Sequence, residues 1–164
     1  MSESFDPTAV PQDCIAIDRN GDLYHEGVKI THGRTIELFL RNIVRDNDGA
    51  YRINVGRESA RVVVEDVPLI IQSCDASGGR LICTTNDGLS SELDTSSMWI
   101  GGQGALYGVL SERGLQARFS RSAHVQAAQY VEPDPVDPQR FNIRLGDTVY
   151  SISTGLESDG HKRP

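Results

Sequence analysis

The stretch Thr31-His-Gly-Arg-Thr-Ile-Glu-Leu-Phe-Leu-Arg-Asn-Ile-Val-Arg45 carries the clearest periodicity in the chain. Ile36, Phe39, Leu40, Ile43 and Val44 recur at helical spacing and line one face, with Glu37, Arg41 and Arg45 on the other. Glu37 precedes Arg41 by four residues, the favourable order for an ion pair on a helix surface. Thr31 is expected to cap this helix, with His32-Gly33-Arg34 as its first turn. Asn47-Asp48-Gly49 is expected to end it, because Gly adopts the left-handed conformation at little cost. The spacing thus predicts a helix over 32–46.

Working outward, the flanking segments read as strands. Upstream, 14–17 is strand-like, Asn20-Gly21 is a strong hairpin signal, 22–26 returns, and Gly27 turns the chain into 28–30. Downstream, 51–55 and 60–65 flank a turn at 56–59. Asp66-Val67-Pro68 breaks the ladder, since Pro has no N–H to donate. The segments 69–74, 80–85 and 89–93 continue as an antiparallel meander. After a small-residue stretch at 94–104, the segments 105–110 and 115–119 form a hairpin. Ser120 or Ser122 then caps a second helix over 121–131, which Pro133, Pro135 and Pro138 end. A last hairpin joins 141–145 to 148–152.

The order hairpin, helix, loop, hairpin therefore occurs twice. Tyr51-Arg-Ile-Asn-Val-Gly56 aligns with Phe141-Asn-Ile-Arg-Leu-Gly146, with the aromatic, Ile and final apolar residue coinciding on one strand face. The expectation is an α+β fold of two similar motifs, each a helix packed on an antiparallel β-sheet, arising by internal duplication. The expected organisation is a flexible lead at 1–12, an N-terminal half at 13–98, a C-terminal half at 99–154 and a flexible tail at 155–164.

At 164 residues the chain has the length of one domain or two small subdomains. Its net charge of −7 argues against a module that binds nucleic acid by neutralising phosphates. Most of the acids fall in turns, while the bases are lopsided: Lys29 and Lys162 are the only lysines among sixteen. No apolar run approaches the roughly 20 residues of a spanning helix, so no membrane partner is expected. The N-terminus lacks the positive start and apolar block of a signal peptide. Cys14, Cys74 and Cys83 are odd in number, widely spaced and set among apolar residues, as buried reduced thiols are. A cytoplasmic location is the expectation.

Chemistry is sparse. His25 and Glu26, with Asp18, Asp22 and His32 near in sequence, offer a general base or a two-His, one-carboxylate metal site. Adjacent strand residues point to opposite faces, however, which favours a merely exposed hairpin. Asp18-x-Asn20-x-Asp22 fails as a calcium loop, because Leu23 and Lys29 stand where Gly and Glu are needed. Gly102-x-Gly104-x-x-x-Gly108 lacks the following helix and the lysine of a phosphate loop, and a flexible interdomain loop explains it better. Trp99 is either a core anchor or the wall of a ligand cleft. Arg113, Arg118 and Arg121 form a basic cluster. It calls for internal ion pairs, with Glu65 or Asp66 as partner to Arg121, or for a small anionic ligand. No Gly-x-Ser-x-Gly elbow or flanked Cys nucleophile occurs, and no cofactor or metal is called for.

Several pieces together carry a resemblance. They are Ile17-Asp18-x-x-Gly21-x-x-Tyr24-His25-Glu26-Gly27-x-x-Ile30-Thr31, Leu38-Phe39, Asp48-Gly49-x-Tyr51, Val64-Glu65-Asp66-x-Pro68 and Gly114-Leu115-x-Ala117-Arg118-x-x-Arg121. Over roughly residues 14–153 the chain resembles the bacterial family catalogued as domain of unknown function 1285. The resemblance implies two similar α+β motifs, no established enzymatic activity, and a role in signal transduction or ligand sensing. The second half departs from the pattern, with no aromatic pair opening its helix and a Pro-rich insert at 133–138. The expected function is a non-enzymatic ligand-sensing or protein-interaction module, with Arg118, Arg121, Arg113 and Trp99 lining its site. The alternative is a metal-dependent or acid/base hydrolase centred on His25, Glu26 and His32. Exposed edge strands leave a homo-oligomer open.

Overall fold

The computed structural model describes residues 4–154; the tail expected at 155–164 lies outside them. Asp6 caps a short 3-10 turn at Pro7–Ala9. The strands that follow are β1 (Cys14–Ile17), β2 (Leu23–His25) and β3 (Val28–Lys29), then helix α1 (Gly33–Arg41). Next come β4 (Ile43–Arg45), β5 (Tyr51–Val55), β6 (Glu58–Val64), β7 (Leu69–Ser77), β8 (Arg80–Thr85), β9 (Ser90–Ile100), β10 (Leu106–Leu110) and β11 (Gln116–Phe119). Helix α2 (Arg121–Ala128) precedes β12 (Val131–Pro133), β13 (Phe141–Leu145) and β14 (Thr148–Thr154).

The chain divides into two compact units, and neither is a single run of sequence. Unit 1 holds the residues up to Ile70 together with Asn86–Leu89; unit 2 holds Ile71–Thr85 and the chain from Ser90 onward. In unit 1 the sheet order is β3-β2-β1-β6-β5-β4. Its central pair, β1 with β6, is parallel, with Ile15 beside Val62 and Ile17 beside Val64. The tetrapeptide 86–89 belongs here because Asn86 and Ile70 exchange bonds. The Ile70 N–H donates to Asn86 Oδ1 at 3.0 Å, and the Asn86 N–H to the Ile70 carbonyl at 2.9 Å. Arg41 Nε donates to the Asp87 carbonyl at 2.8 Å. Ile17, Leu23, Leu40 and Leu69 are almost wholly buried in this unit.

Unit 2 is built differently. Strands β10-β11-β7-β8-β9 close on themselves through a β9–β10 pairing, and the result is a five-stranded barrel. Closure removes the open edges that a sheet would otherwise present. Leu81, Leu93, Leu110, Leu115, Ala117 and Phe119 are buried here at alternate positions of their strands or beside them. The ladder of β9 and β10 shifts register between Tyr107 and Val109. Gly108 sits in that irregularity because a Cβ there would lie 2.9 Å from Leu93 Cδ1. Beyond the barrel, β14 pairs parallel to the end of β9 and carries β13 and β12.

The expected α+β fold of two helix-on-sheet motifs is therefore corrected. Among the described residues the chain is mostly β, 49% strand and 13% helix, with a closed barrel in one part. The expected internal duplication is not supported either: the first sheet has six strands, whereas the second runs β10-β11-β7-β8-β9-β14-β13-β12 and curls shut through β9–β10. Neither sheet is purely antiparallel. Helix is scarce because both expected helices stop early. His32, not Thr31, caps α1, its Nδ1 accepting from the Thr35 N–H at 3.4 Å. The helix ends at Arg41, and Ile43-Val44 join β4 opposite Ile53 and Arg52. β-branched side chains favour that extended backbone, and pairing with β5 outweighs the helical phase they share. Ser120 caps α2 as expected, its Oγ accepting from the Ala123 N–H at 3.2 Å, but Val131 belongs to β12.

Candidate functional site

In unit 1, α1 covers its sheet incompletely. Leu40 is its one fully buried residue, while Ile36 and Phe39 are half-buried and Leu38 is 45% exposed. The sheet face beneath is set by the period of two along each strand. Ile53 and Val55 of β5 share a face, and their cross-strand partners on β6 are Ala60 and Glu58. Ala60 is the smallest side chain on that face, and a hollow of about 350 Å³ remains, lined by Ile15, Phe39, Ile53, Val55, Glu58, Ser59 and Ala60. Five of those seven side chains are apolar. Glu58 and Ser59 supply the polar edge, with Ser59 Oγ already donating to Asn54 Oδ1 at 2.8 Å.

Ser59 also borders a second recess, of about 340 Å³, lined by Asp13, Asp46, Asp48, Ala50, Arg52 and Arg61. Its polar groups largely serve one another. Arg52 Nε pairs with Asp46 at 3.1 Å, and Asp48 Oδ1 accepts the Ala50 N–H at 3.0 Å, a local turn contact. Arg52 and Arg61 stand opposite each other across β5 and β6.

The candidate residues for hydrolysis disperse. His25 is exposed at the end of β2, across from Val28 of β3. Glu26 and Gly27, with φ of 52° and 77°, are the turn between those strands. His32 is engaged as the α1 cap. Among the described residues no group of three or more His, Cys, Asp or Glu is placed to hold a metal ion.

The candidate binding residues are all in unit 2, and the structure brings two of them into one row. Trp99 of β9 faces Tyr107 of β10, and Tyr107 faces Arg118 of β11. Trp99 stacks on Tyr107 with ring centroids 5.0 Å apart and planes 5° from parallel, and is itself 5% exposed. It is a barrel anchor with little surface left for a ligand. Arg118 is half-buried, Arg113 lies in the turn between β10 and β11, and Arg121 is exposed at the first position of α2. Asp66, one expected partner of Arg121, pairs with Arg19 at 3.6 Å, and Glu65 accepts the Arg19 N–H. Gly102 and Gly104 lie in the tight β9–β10 turn, where the Gly101 N–H donates to the Ala105 carbonyl and the Gly104 N–H to the Gly101 carbonyl, while Gly108 is within β10. They are not an interdomain loop, because 94–100 is strand.

Sequence alone does not show the hollow under α1. Its signal is a single Ala set among Ile53, Val55 and Val62, which has meaning only once Ala60 is known to oppose Ile53.

Solved structures resemble the chain. A crystal structure of a DUF1285 family protein from Shewanella baltica OS155 is 26% identical at a TM-score of 0.57, covering 66% of this chain and 85% of that one. A DUF1285 family protein from Silicibacter pomeroyi DSS-3 is 18% identical at a TM-score of 0.68, covering 89% of this chain and 82% of that one, and speaks to the fold alone. No protein-family model matches the sequence, and no curated protein matches it. The chain thus resembles DUF1285 proteins in structure as well as in motif. No helix among the described residues is long and apolar enough to cross a membrane.

Proposed function

We propose that this chain, which resembles DUF1285 proteins, is a non-enzymatic binding module that takes a small, mostly apolar molecule into the hollow beneath α1. The observation that carries the reading is the hollow itself, about 350 Å³ with five apolar lining residues and a polar edge. That size falls in the range of small-molecule sites, and the mix of apolar walls with few polar groups is their usual lining. Glu58 at the edge favours a ligand end that can donate a hydrogen bond, a hydroxyl or an ammonium. Phe39 places α1 in contact with whatever fills the space. Occupancy then tightens the helix onto the sheet, which is the kind of change a sensor in signal transduction passes on. A reducing cytoplasmic setting goes with this reading, since Cys14, Cys74 and Cys83 are all free.

The test uses the neutral probe N-phenyl-1-naphthylamine, whose fluorescence rises on entering an apolar site. The wild-type chain is expected to enhance it saturably. Ala60→Leu, which fills the hollow, is expected to abolish the enhancement while leaving the circular dichroism unchanged. No enhancement by the wild type, or equal enhancement by a folded Ala60→Leu protein, overturns the proposal.

A further inference from the structure

Cys74 and Cys83 face each other directly across β7 and β8. Two features fix the kind of pair they make. The hairpin turns at Gly78-Gly79, with Ser77 paired to Arg80, Ala76 to Leu81 and Asp75 to Ile82, so hydrogen-bonded and open pairs alternate down to Cys74 and Cys83. The Cys74 N–H, moreover, donates to Gln126 Oε1 at 2.8 Å and not across to β8. The two cysteines therefore occupy an open pair, in which side chains come closest and Cα atoms lie about 4.5 Å apart. That separation is within the span a disulfide bridges without moving the backbone.

The thiols already interact. Cys74 Sγ donates to the Ala123 carbonyl in the first turn of α2 at 3.5 Å, and the Cys83 thiol is near enough to bias its titration. Both are free and buried, Cys83 completely and Cys74 with 9% of its surface exposed. The neighbouring Cys83 thiol holds the Cys74 thiol below its ordinary range, although burial opposes this. The same neighbour effect, aided by burial, pushes Cys83 far up. Cys74, the more exposed of the two, is thus the thiol an oxidant reaches first, and Cys83 the reserve.

We propose that Cys74 and Cys83 are a redox modification site: hydrogen peroxide oxidises Cys74, and Cys83 resolves it to a reversible disulfide within the barrel. The Cys74 thiolate attacks one peroxide oxygen, the O–O bond breaks, and the departing hydroxide takes up a proton as water. Cys74 is left as a sulfenic acid. Cys83 sulfur then attacks Cys74 Sγ, forming the S–S bond as the S–O bond breaks, and the second hydroxide leaves as water with the Cys83 proton. Two thiols lose two electrons and one peroxide is reduced to two waters. An added dithiol reverses the bond by exchange. The product staples β7 to β8 and removes the S–H bond from Cys74 to Ala123.

Cys14 is an internal control. It lies 4% exposed in β1, where burial and then the neighbouring Asp13 carboxylate push its thiol up. The experiment treats the full-length native protein with equimolar hydrogen peroxide, blocks the remaining thiols and digests with trypsin without reduction. Cleavage at Arg19, Arg61, Arg80 and Arg113 leaves the three cysteines in separate peptides. The expected result is loss of two of the three thiols, with peptides 62–80 and 81–113 joined and Cys14 still alkylated. In Cys83→Ala, dimedone is expected to trap a sulfenic acid on Cys74. A wild-type protein in which 62–80 and 81–113 stay separate overturns the proposal, whether Cys74 is untouched or carried to the sulfinic acid. So does a disulfide that includes Cys14. If the wild-type pair joins but dimedone labels Cys83 in Cys74→Ala and never Cys74 in Cys83→Ala, the assigned order of attack is wrong.

Discussion

Ala60 stands directly opposite Ile53 across β5 and β6, and its single methyl leaves the space that α1 does not fill. Filling that space has a stability consequence apart from any ligand. Ala60→Leu places apolar surface in the hollow that Phe39 and Ile15 also line, and is expected to raise the unfolding free energy by about 1 kcal/mol. Urea unfolding of the two proteins in parallel checks this; a lower midpoint for the variant would mean the hollow is too narrow for a leucine side chain.

Leu40 is the residue by which α1 is pinned, with 0% of its surface exposed. Leu40→Ala removes that anchor and leaves a cavity, at an expected cost of about 2–5 kcal/mol. Amide exchange should show α1 opening ahead of β1 and β6. A uniform acceleration across unit 1 would indicate that the helix is not separately mobile.

Gly108 is required by Leu93. A methyl there meets both Leu93 Cδ atoms at 2.9 Å, and Gly108→Ala is expected to cost about 1–3 kcal/mol through overpacking. Because the obstacle is the end of a side chain, Leu93→Ala in the same chain should relieve the clash. The double variant is then less destabilised than the sum of the singles, which thermal unfolding of the four proteins measures.

Asp134 organises the loop before β13. Its carboxylate accepts the N–H groups of Asp137 and Val136 and the side chain of Asn142, and these bonds hold its pKa below the ordinary carboxylate value. A carboxyl depressed in the folded state stabilises at neutral pH and loses that contribution as pH falls through its folded pKa. Loop amides at Val136 and Asp137 should lose exchange protection in acid, below the usual aspartate range. In Asp134→Asn they should be less protected already at neutral pH, with little further acid dependence.

The parts of this structure that sequence exposes are those that local chemistry decides. Asn20-Gly21 turns a hairpin, Ser120 caps α2, and the three cysteines are buried and free. Ile43 and Val44 show where local chemistry is ambiguous: they continue the phase of Ile36, Phe39 and Leu40, yet equally begin a strand, and only the presence of Ile53 opposite decides. Asp94-Thr-Ser-Ser97 reads as linker because its residues are small and polar, but it makes up four of the eleven residues of β9. The pairing that closes the barrel and the opposition of Ala60 to Ile53 depend on register, which no single segment encodes. Cys74 and Cys83 are an intermediate case. Counting back from Gly78-Gly79 as the turn would have paired them, whereas the acid, Ser and Ala before those glycines also read as loop.

The interleaving of the two units bears on how the chain is made and cut. Unit 1 takes Asn86–Leu89 from beyond the β7–β8 hairpin, and the reciprocal bonds of Asn86 with Ile70 depend on it. A ribosome that has delivered only the first seventy residues has not yet supplied those partners, so unit 1 cannot be completed until residue 89 has emerged. The chain passes between units three times, after Ile70, Thr85 and Leu89, so a single proteolytic nick at any of these points leaves at least one fragment carrying a segment that belongs to the other fragment's unit.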